Sequence, residues 1–260
     1  MWRETLVRLF PALRSFGPSF YVVGGAVRDL HLHREPADVD VACRDPLAVA
    51  RSLGRQVIVL GPPGRPVAYR VDLGMHVYDF AEIAGGEIDR DLERRDFTMN
   101  AMAVDLGRDT LLDPHGGRRD LEAGLVRMTS ASVFDGWPVQ LLRAVRMAVK
   151  YDFAIEPSTI DAIRRNAFRI HEVRDVVPHF VTKELGLIFS CGRLRKTIAL
   201  LRATGLDRPL GLELRDVRTD DVSPAGAYAL LVADPAAYAA TWRWSEELLH
   251  EVLRSCGVTR

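Results

Sequence analysis

Apolar residues recur at helical spacing at Leu6, Leu9, Phe10 and Leu13, and the next apolar run, Phe20 to Val23, is short, aromatic and β-branched and stops at Gly24-Gly25. The pattern predicts a helix over 6–16, a strand over 20–23 and a glycine turn. Helical spacing resumes over 27–33, and Val39-Asp40-Val41-Ala42 alternates acid with apolar positions as a strand does. Further strands are expected at 56–60, 68–73, 76–81 and 101–105, separated by glycine and proline turns. After about residue 130 the strand signals stop. Amphipathic helices are expected over 139–150, 158–168, 179–190 and 192–204, with Gly205 closing the last. Residues 207–227, rich in Pro, Gly and Asp, predict a linker, and 228–231 and 242–253 predict two more helices. The class is α+β: a small mixed sheet carrying helices, followed by an all-helical region.

Composition narrows the function classes. The chain has 260 residues, 48% hydrophobic and 27% charged. No run approaches the roughly 18 apolar residues of a membrane helix. Charges interrupt the apolar positions of Met1 to Leu6, which reads as a first helix rather than a signal peptide, so a cytoplasmic location without a membrane partner is expected. Cys43, Cys191 and Cys256 lie far apart in no metal-ligand spacing and are expected to be buried small hydrophobes. Acids and bases balance at 35 each, yet residues 139–200 hold eleven Lys or Arg against six acids. That basic stretch suits a phosphate-rich partner.

The candidate chemistry lies in the first half. Asp38-Val39-Asp40 puts two carboxylates on one face of a strand, spaced to share divalent cations, and two hard oxygen anions suit Mg²⁺. Asp79, in Val77-Tyr78-Asp79-Phe80, is placed on a neighbouring strand to supply a third acid. Gly24 and Gly25 stand 13 to 16 residues before the pair, where a bare backbone lets N–H groups approach phosphate oxygens, and Arg28 adds a forked cation. Each signal alone has a plain alternative. A D-x-D is common, and Arg94-Arg95-Asp96 with Asn100 also reads as a solvated turn with a capped end.

Together, Tyr21 to Leu30 with its Gly24-Gly25-Ala26-Val27-Arg28-Asp29 core, Asp38-Val39-Asp40-Val41-Ala42, Arg94 to Ala103 and Asp113-Pro114-His115-Gly116-Gly117 resemble the class II (bacterial-type) tRNA nucleotidyltransferases and their poly(A) polymerase relatives. The likeness runs from about residue 20 to 205. It implies a polymerase-β-like nucleotidyltransferase head over 1–130, a helical neck over 131–206, and a linker with a truncated helical body over 207–260. By the resemblance, Asp38 and Asp40 are the metal ligands, and Gly24, Gly25 and Arg28 hold the triphosphate; Asp79 is the third catalytic acid that strand placement offers. Arg94, Arg95, Asp96 and Asn100 shape the sugar and primer region.

The neck departs from the family pattern. Leu141-Leu142-Arg143-Ala144-Val145-Arg146 is intact, but the family's base-reading acid and Arg are Trp137 and Gln140 here, and His179-Phe180 replaces a Glu-Arg. One amide offers both a donor and an acceptor, so Gln140 can read the edge of cytosine or adenine, with Arg143 and Arg146 alongside; the alternative is that base selection has decayed. The spacer from Asp79 to Arg94 is short, as in members that add only cytidines. The resemblance implies a Mg²⁺-dependent, template-independent enzyme that adds CMP or AMP, from CTP or ATP, to the 3′ end of tRNA or a tRNA-like RNA. An RNA-binding or regulatory homologue with weak activity is the alternative.

Overall fold

The computed structural model describes residues 2–53, 56–61 and 67–257. The chain forms two compact units, Met1–Ala123 with Met128–Ser130 and Gly124–Arg127 with Ala131–Arg260.

In the first unit, helix α1 (Trp2–Leu9) leads into a 3₁₀ turn at Pro11–Ser15. The single helix expected over 6–16 therefore breaks at Phe10, because Pro11 has no N–H to continue the ladder and opens the tighter turn instead. The elements that follow are β1 (Tyr21–Val23), α2 (Gly25–His31), β2 (Asp38–Cys43), α3 (Pro46–Ser52), β3 (Val57–Leu60), β4 (Ala68–Asp72) and β5 (Val77–Glu82). After them come α4 (Ile88–Glu93), β6 (Ala103–Asp105), β7 (Thr110–Leu112) and α5 (Gly117–Glu122). Among the described residues one seven-stranded sheet runs β3-β4-β5-β2-β1-β6-β7. Within that sheet, among the described residues, only the β2–β5 pair is parallel.

Alternation decides what each face does. Val22, Val39, Val41, Tyr78, Phe80 and Val104 are buried on one face, where the Phe10 ring meets Tyr78 edge-on at 5.9 Å and Phe16 meets Phe80 at 5.8 Å. On the other face Val23, Ala42 and Ala103 cluster with Ile83 and Leu92. Asp38 and Asp40 share that second face, so the sheet's own core fixes which way they point. Three helices went unforeseen here. The start of α3 was legible: Asp45 accepts from the Ala48 N–H at 3.1 Å and Pro46 follows it. Strand β7 also went unforeseen; it pairs with β6 through a turn in which Asp105 accepts from the Gly107 and Arg108 N–H groups.

The second unit holds β8 (Leu125–Val126), α6 (Val133–Gly136), α7 (Gln140–Tyr151), β9 (Ala154–Ile155), α8 (Pro157–Asn166) and α9 (Ile170–Val176). It continues with α10 (His179–Phe189), α11 (Leu194–Thr204), α12 (Asp207–Leu210), α13 (Pro224–Leu231), α14 (Pro235–Trp242) and α15 (Glu246–Ser255). It is not wholly helical, since β8 and β9 form a two-stranded parallel pair too short for alternation to show. Helix α7 packs on α10 and α11, and Leu141, Leu142, Val145 and Val149 on α7, Val181, Leu185 and Ile188 on α10 and Leu201 on α11 are all buried. Gly205, at φ 69°, ends α11.

Three expectations need correction. The linker begins and ends in helix, with α12 and α13 occupying its two ends. The helix expected from Trp242 starts at Glu246: Trp242 closes α14, Arg243 turns left-handed at φ 51°, and Ser245 caps α15. Of the cysteines only Cys43 is buried; Cys191 is half-buried and Cys256 is exposed. Among the described residues no helix is long and apolar enough to cross a membrane.

Candidate active site

Strand β2 carries Asp38 and Asp40 two residues apart, hence on one face, and its parallel register with β5 sets Asp40 directly opposite Asp79. Three carboxylates thus share one patch of sheet. Strand β4 adds Arg70, the cross-strand partner of Asp79, whose Nε and Nη2 donate to the two Asp79 oxygens at 2.8 and 2.6 Å. Burial pushes the Asp40 carboxyl up from 3.8 to about 6; Asp79 and Asp38 push the same way, and Arg95 and Arg70 oppose them. A protonatable acid held among acids is a site that a cation would relieve, and the oxygen donors of Asp38 and Asp40 match a hard divalent ion. Among the described residues no group of three or more His, Cys, Asp or Glu is arranged to hold a metal. The donor set that the sheet offers is the pair on β2.

The glycine turn is built against this patch. Gly24 has φ +70°, and a Cβ there would stand 2.9 Å from Arg95 Nη1 and 3.7 Å from Asp40 Oδ2. Only glycine lets the backbone come that close. Arg28, on α2, donates from Nη1 to Asn100 Oδ1 at 2.6 Å and grips Asp29 through Nε at 2.9 Å and Nη2 at 3.1 Å. The Nδ2 of Asn100 donates to Asp96 Oδ1 at 2.9 Å, and the same oxygen accepts from the Phe97 N–H. Arg95 is held by Asp91 at 2.8 Å, and the Thr129 hydroxyl donates to the Arg95 carbonyl. The fold therefore brings together Gly24, Gly25, Arg28, Asp38, Asp40, Asp79, Arg95, Asp96 and Asn100. Asp96 is buried, whereas Arg94 is exposed. Gly117 locks the segment from below, since a Cβ there would collide with the Thr98 carbonyl, and Thr98 donates to buried Asp120 at 2.7 Å.

Gln140, Arg143 and Arg146 lie on α7 in the second unit. Gln140 opens the helix, and its Oε1 is buried with no hydrogen-bond partner. Arg143 is exposed, while Arg146 donates from Nε to buried Glu184 on α10 at 2.6 Å, which makes it a brace between helices as the molecule stands. Trp137 meets Phe180 edge-on at 5.3 Å, and His179 lies 4.4 Å from the same ring. Three of the four residues that depart from the family pattern, Trp137, His179 and Phe180, thus pack on one another. Sequence reasoning missed Arg70, Asp29 and Asp91. Arg70 was findable, because a hairpin over 68–82 in alternating register faces it toward Asp79.

Residues 20–83 and 68–127 match the family described as the poly A polymerase head domain, and residues 152–216 match a probable RNA- and SrmB-binding site of polymerase A. A CC-adding tRNA nucleotidyltransferase of Halalkalibacterium halodurans is 34% identical over 195 residues, 75% of this chain and 50% of that protein. An A-adding tRNA nucleotidyltransferase of Deinococcus radiodurans is 35% identical over 82% of this chain and 49% of its own length. The chain spans about half the length of these curated relatives. Among solved structures, the Bacillus stearothermophilus CCA-adding enzyme in complex with CTP superposes with a TM-score of 0.76 at 24% identity, covering 99% of this chain and 71% of that one. At that identity the likeness speaks for the fold.

Proposed function

The chain belongs to the class II tRNA nucleotidyltransferase and poly(A) polymerase family, and on that premise we propose that it is an RNA 3′-end nucleotidyltransferase adding CMP, AMP or both to tRNA or a tRNA-like RNA. The observation that carries this reading is the placement of Asp38 and Asp40 on one sheet face, with Asp79 beside them and the backbone of Gly24 closed over them. In the proposed reaction the RNA 3′-hydroxyl attacks the nucleotide α-phosphate in line and pyrophosphate leaves.

Asp38 and Asp40 would hold Mg²⁺, which when bound activates the attacking hydroxyl and neutralises the triphosphate. The remaining work falls to the chain. Gly24 and Gly25 leave room for phosphate oxygens at their N–H groups, and Arg28, pre-set by Asp29 and Asn100, offers a fixed positive charge beside them. Arg95 faces Asp40 and is oriented by Asp91. Asn100 and Asp96, locked to each other, form a rigid wall for the sugar. Gln140, Arg143 and Arg146 are the proposed base-reading set on α7. The relatives include both CC-adding and A-adding proteins, so the base is a question for experiment.

The test is incorporation of each of the four labelled nucleotides into a tRNA lacking its 3′ end, with product length and sequence read out. Addition that vanishes on chelation of divalent ions is expected. Tight tRNA binding with no incorporation of any nucleotide would overturn the enzyme reading in favour of an RNA-binding homologue.

A further inference from the structure

The position of Asp79 carries a consequence for how the cation is bound. This acid stands opposite Asp40 in the β2–β5 register, near enough to add to its electrostatics, yet both of its oxygens lie in the Arg70 fork. A bidentate guanidinium–carboxylate pair is among the strongest side-chain contacts a protein makes, and one that is mostly withdrawn from water resists separation. The Asp79 side chain is 10% exposed and that of Arg70 is 37% exposed, so the fork closes over the acid from the solvent side.

We propose that Arg70 is a positioning residue that keeps Asp79 out of the cation's ligand set, leaving Asp38 and Asp40 as the only protein ligands. The inference rests on the reading of β2 as a cation site. It makes chemical sense for a nucleotide-handling site. Mg²⁺ held by one or two carboxylates keeps coordination positions for water and substrate phosphates, and a third carboxylate would occupy one of them. Arg70 offsets part of the charge of Asp79 while leaving its bulk in place beside Asp40.

The experiment measures Mn²⁺ binding to the full chain without nucleotide, counting free Mn²⁺ by electron paramagnetic resonance, with thermal unfolding recorded for each variant. The informative variant is the charge-conserving double substitution Arg70→Gln with Asp79→Asn. If Asp79 is no ligand, its Mn²⁺ dissociation constant stays within about fivefold of wild type; a larger loss shows that Asp79 coordinates the ion and overturns the proposal. The single variant Arg70→Gln decides the matter if the double variant does not fold. Releasing Asp79 to the ion is expected to tighten Mn²⁺ binding by about fivefold or more, and unchanged or weaker binding overturns the proposal. Asp40→Asn serves as the control on the premise. It must abolish Mn²⁺ binding, and wild-type binding in that variant would remove the cation site itself rather than the role of Arg70.

Discussion

The two units handle their charges in opposite ways. In the first, polar side chains from different elements are tied together: Arg28 reaches Asn100, Arg70 reaches Asp79, and Thr98 reaches Asp120, each bond involving a buried residue. In the second, many cations pair with a near neighbour in solvent, as Arg164 does with Asp161 and Arg174 with Asp175. Exposed pairs of that kind contribute little to stability and break easily. On the proposed function, the contrast separates two jobs. A reaction centre needs groups held in place before substrate arrives, and an RNA-facing surface needs charges that can exchange one anion for another.

The largest expected effect lies in the rigid unit. Asp38→Ala or Asp40→Ala should cut nucleotide incorporation by about a hundredfold to a thousandfold, since removal of one preorganised group at a reacting centre commonly costs about 3 to 4 kcal/mol. Thermal unfolding should show the fold intact. Incorporation within a few-fold of wild type would erase the distinction between the units and the assignment with it.

Arg146 and Glu184 are the exception in the second unit, a pair bridging α7 and α10 with little exposure on either side. Glu184→Gln should destabilise the protein by about 3 kcal/mol, as one-sided loss of a shielded ion pair does, read by denaturant unfolding. A loss below about 1 kcal/mol would place this pair with the exposed ones.

How much of this was legible differs between the units for the same reason. The D-x-D, the Gly-Gly turn and the Arg-Arg-Asp run are contiguous words, and the first unit places them where strand alternation says. Arg70 and Asp29 were missed because their role exists only after β4 pairs with β5 or α2 closes on Asn100. In the second unit α7, α8, α10 and α11 were read from periodicity to within a few residues, whereas the shorter α6, α9, α12 and α14 were not, and the roles of the side chains were not read from it. Arg146, a base-reading candidate in sequence, also donates to Glu184 and braces α7 against α10, and Trp137, His179 and Phe180, which depart from the family pattern, form an aromatic cluster. The β8–β9 pair, two residues each, is below what any periodicity can show.

A smaller effect tests α7. If the buried, unpartnered Oε1 of Gln140 accepts from the amino group of a base, Gln140→Ala should reduce preference for CTP and ATP over UTP and GTP by about tenfold to a hundredfold, the value of one bidentate amide contact. Single-nucleotide incorporation rates for wild type and variant give the ranking. An unchanged ranking would make Gln140 a structural residue of the helix start.

The smallest effect contrasts the units by the sign of their pH dependence. Asp40 titrates at about 6 in the fold instead of 3.8, so between those values the native state binds more protons than the unfolded chain. Its contribution to stability is complete below about pH 4 and is lost as pH rises through 6. The difference corresponds to about 3 kcal/mol, trimmed to about 1 by partial exposure and by water at the mouth of the site. Asp40→Asn should therefore melt about 2 to 4 °C above wild type at pH 8 and level with it at pH 4. Asp152, in the second unit, is pulled down to about 2 by Lys196 and Arg193, so its contribution exists above pH 4 and fades as pH falls through 2. Asp152→Asn should accordingly never melt above wild type at pH 8. Mg²⁺ adds the last constraint: it should raise the melting temperature of the wild type at pH 8, where Asp40 is charged, and leave Asp40→Asn where it was. If Mg²⁺ moves both proteins equally, the ion is held somewhere other than β2.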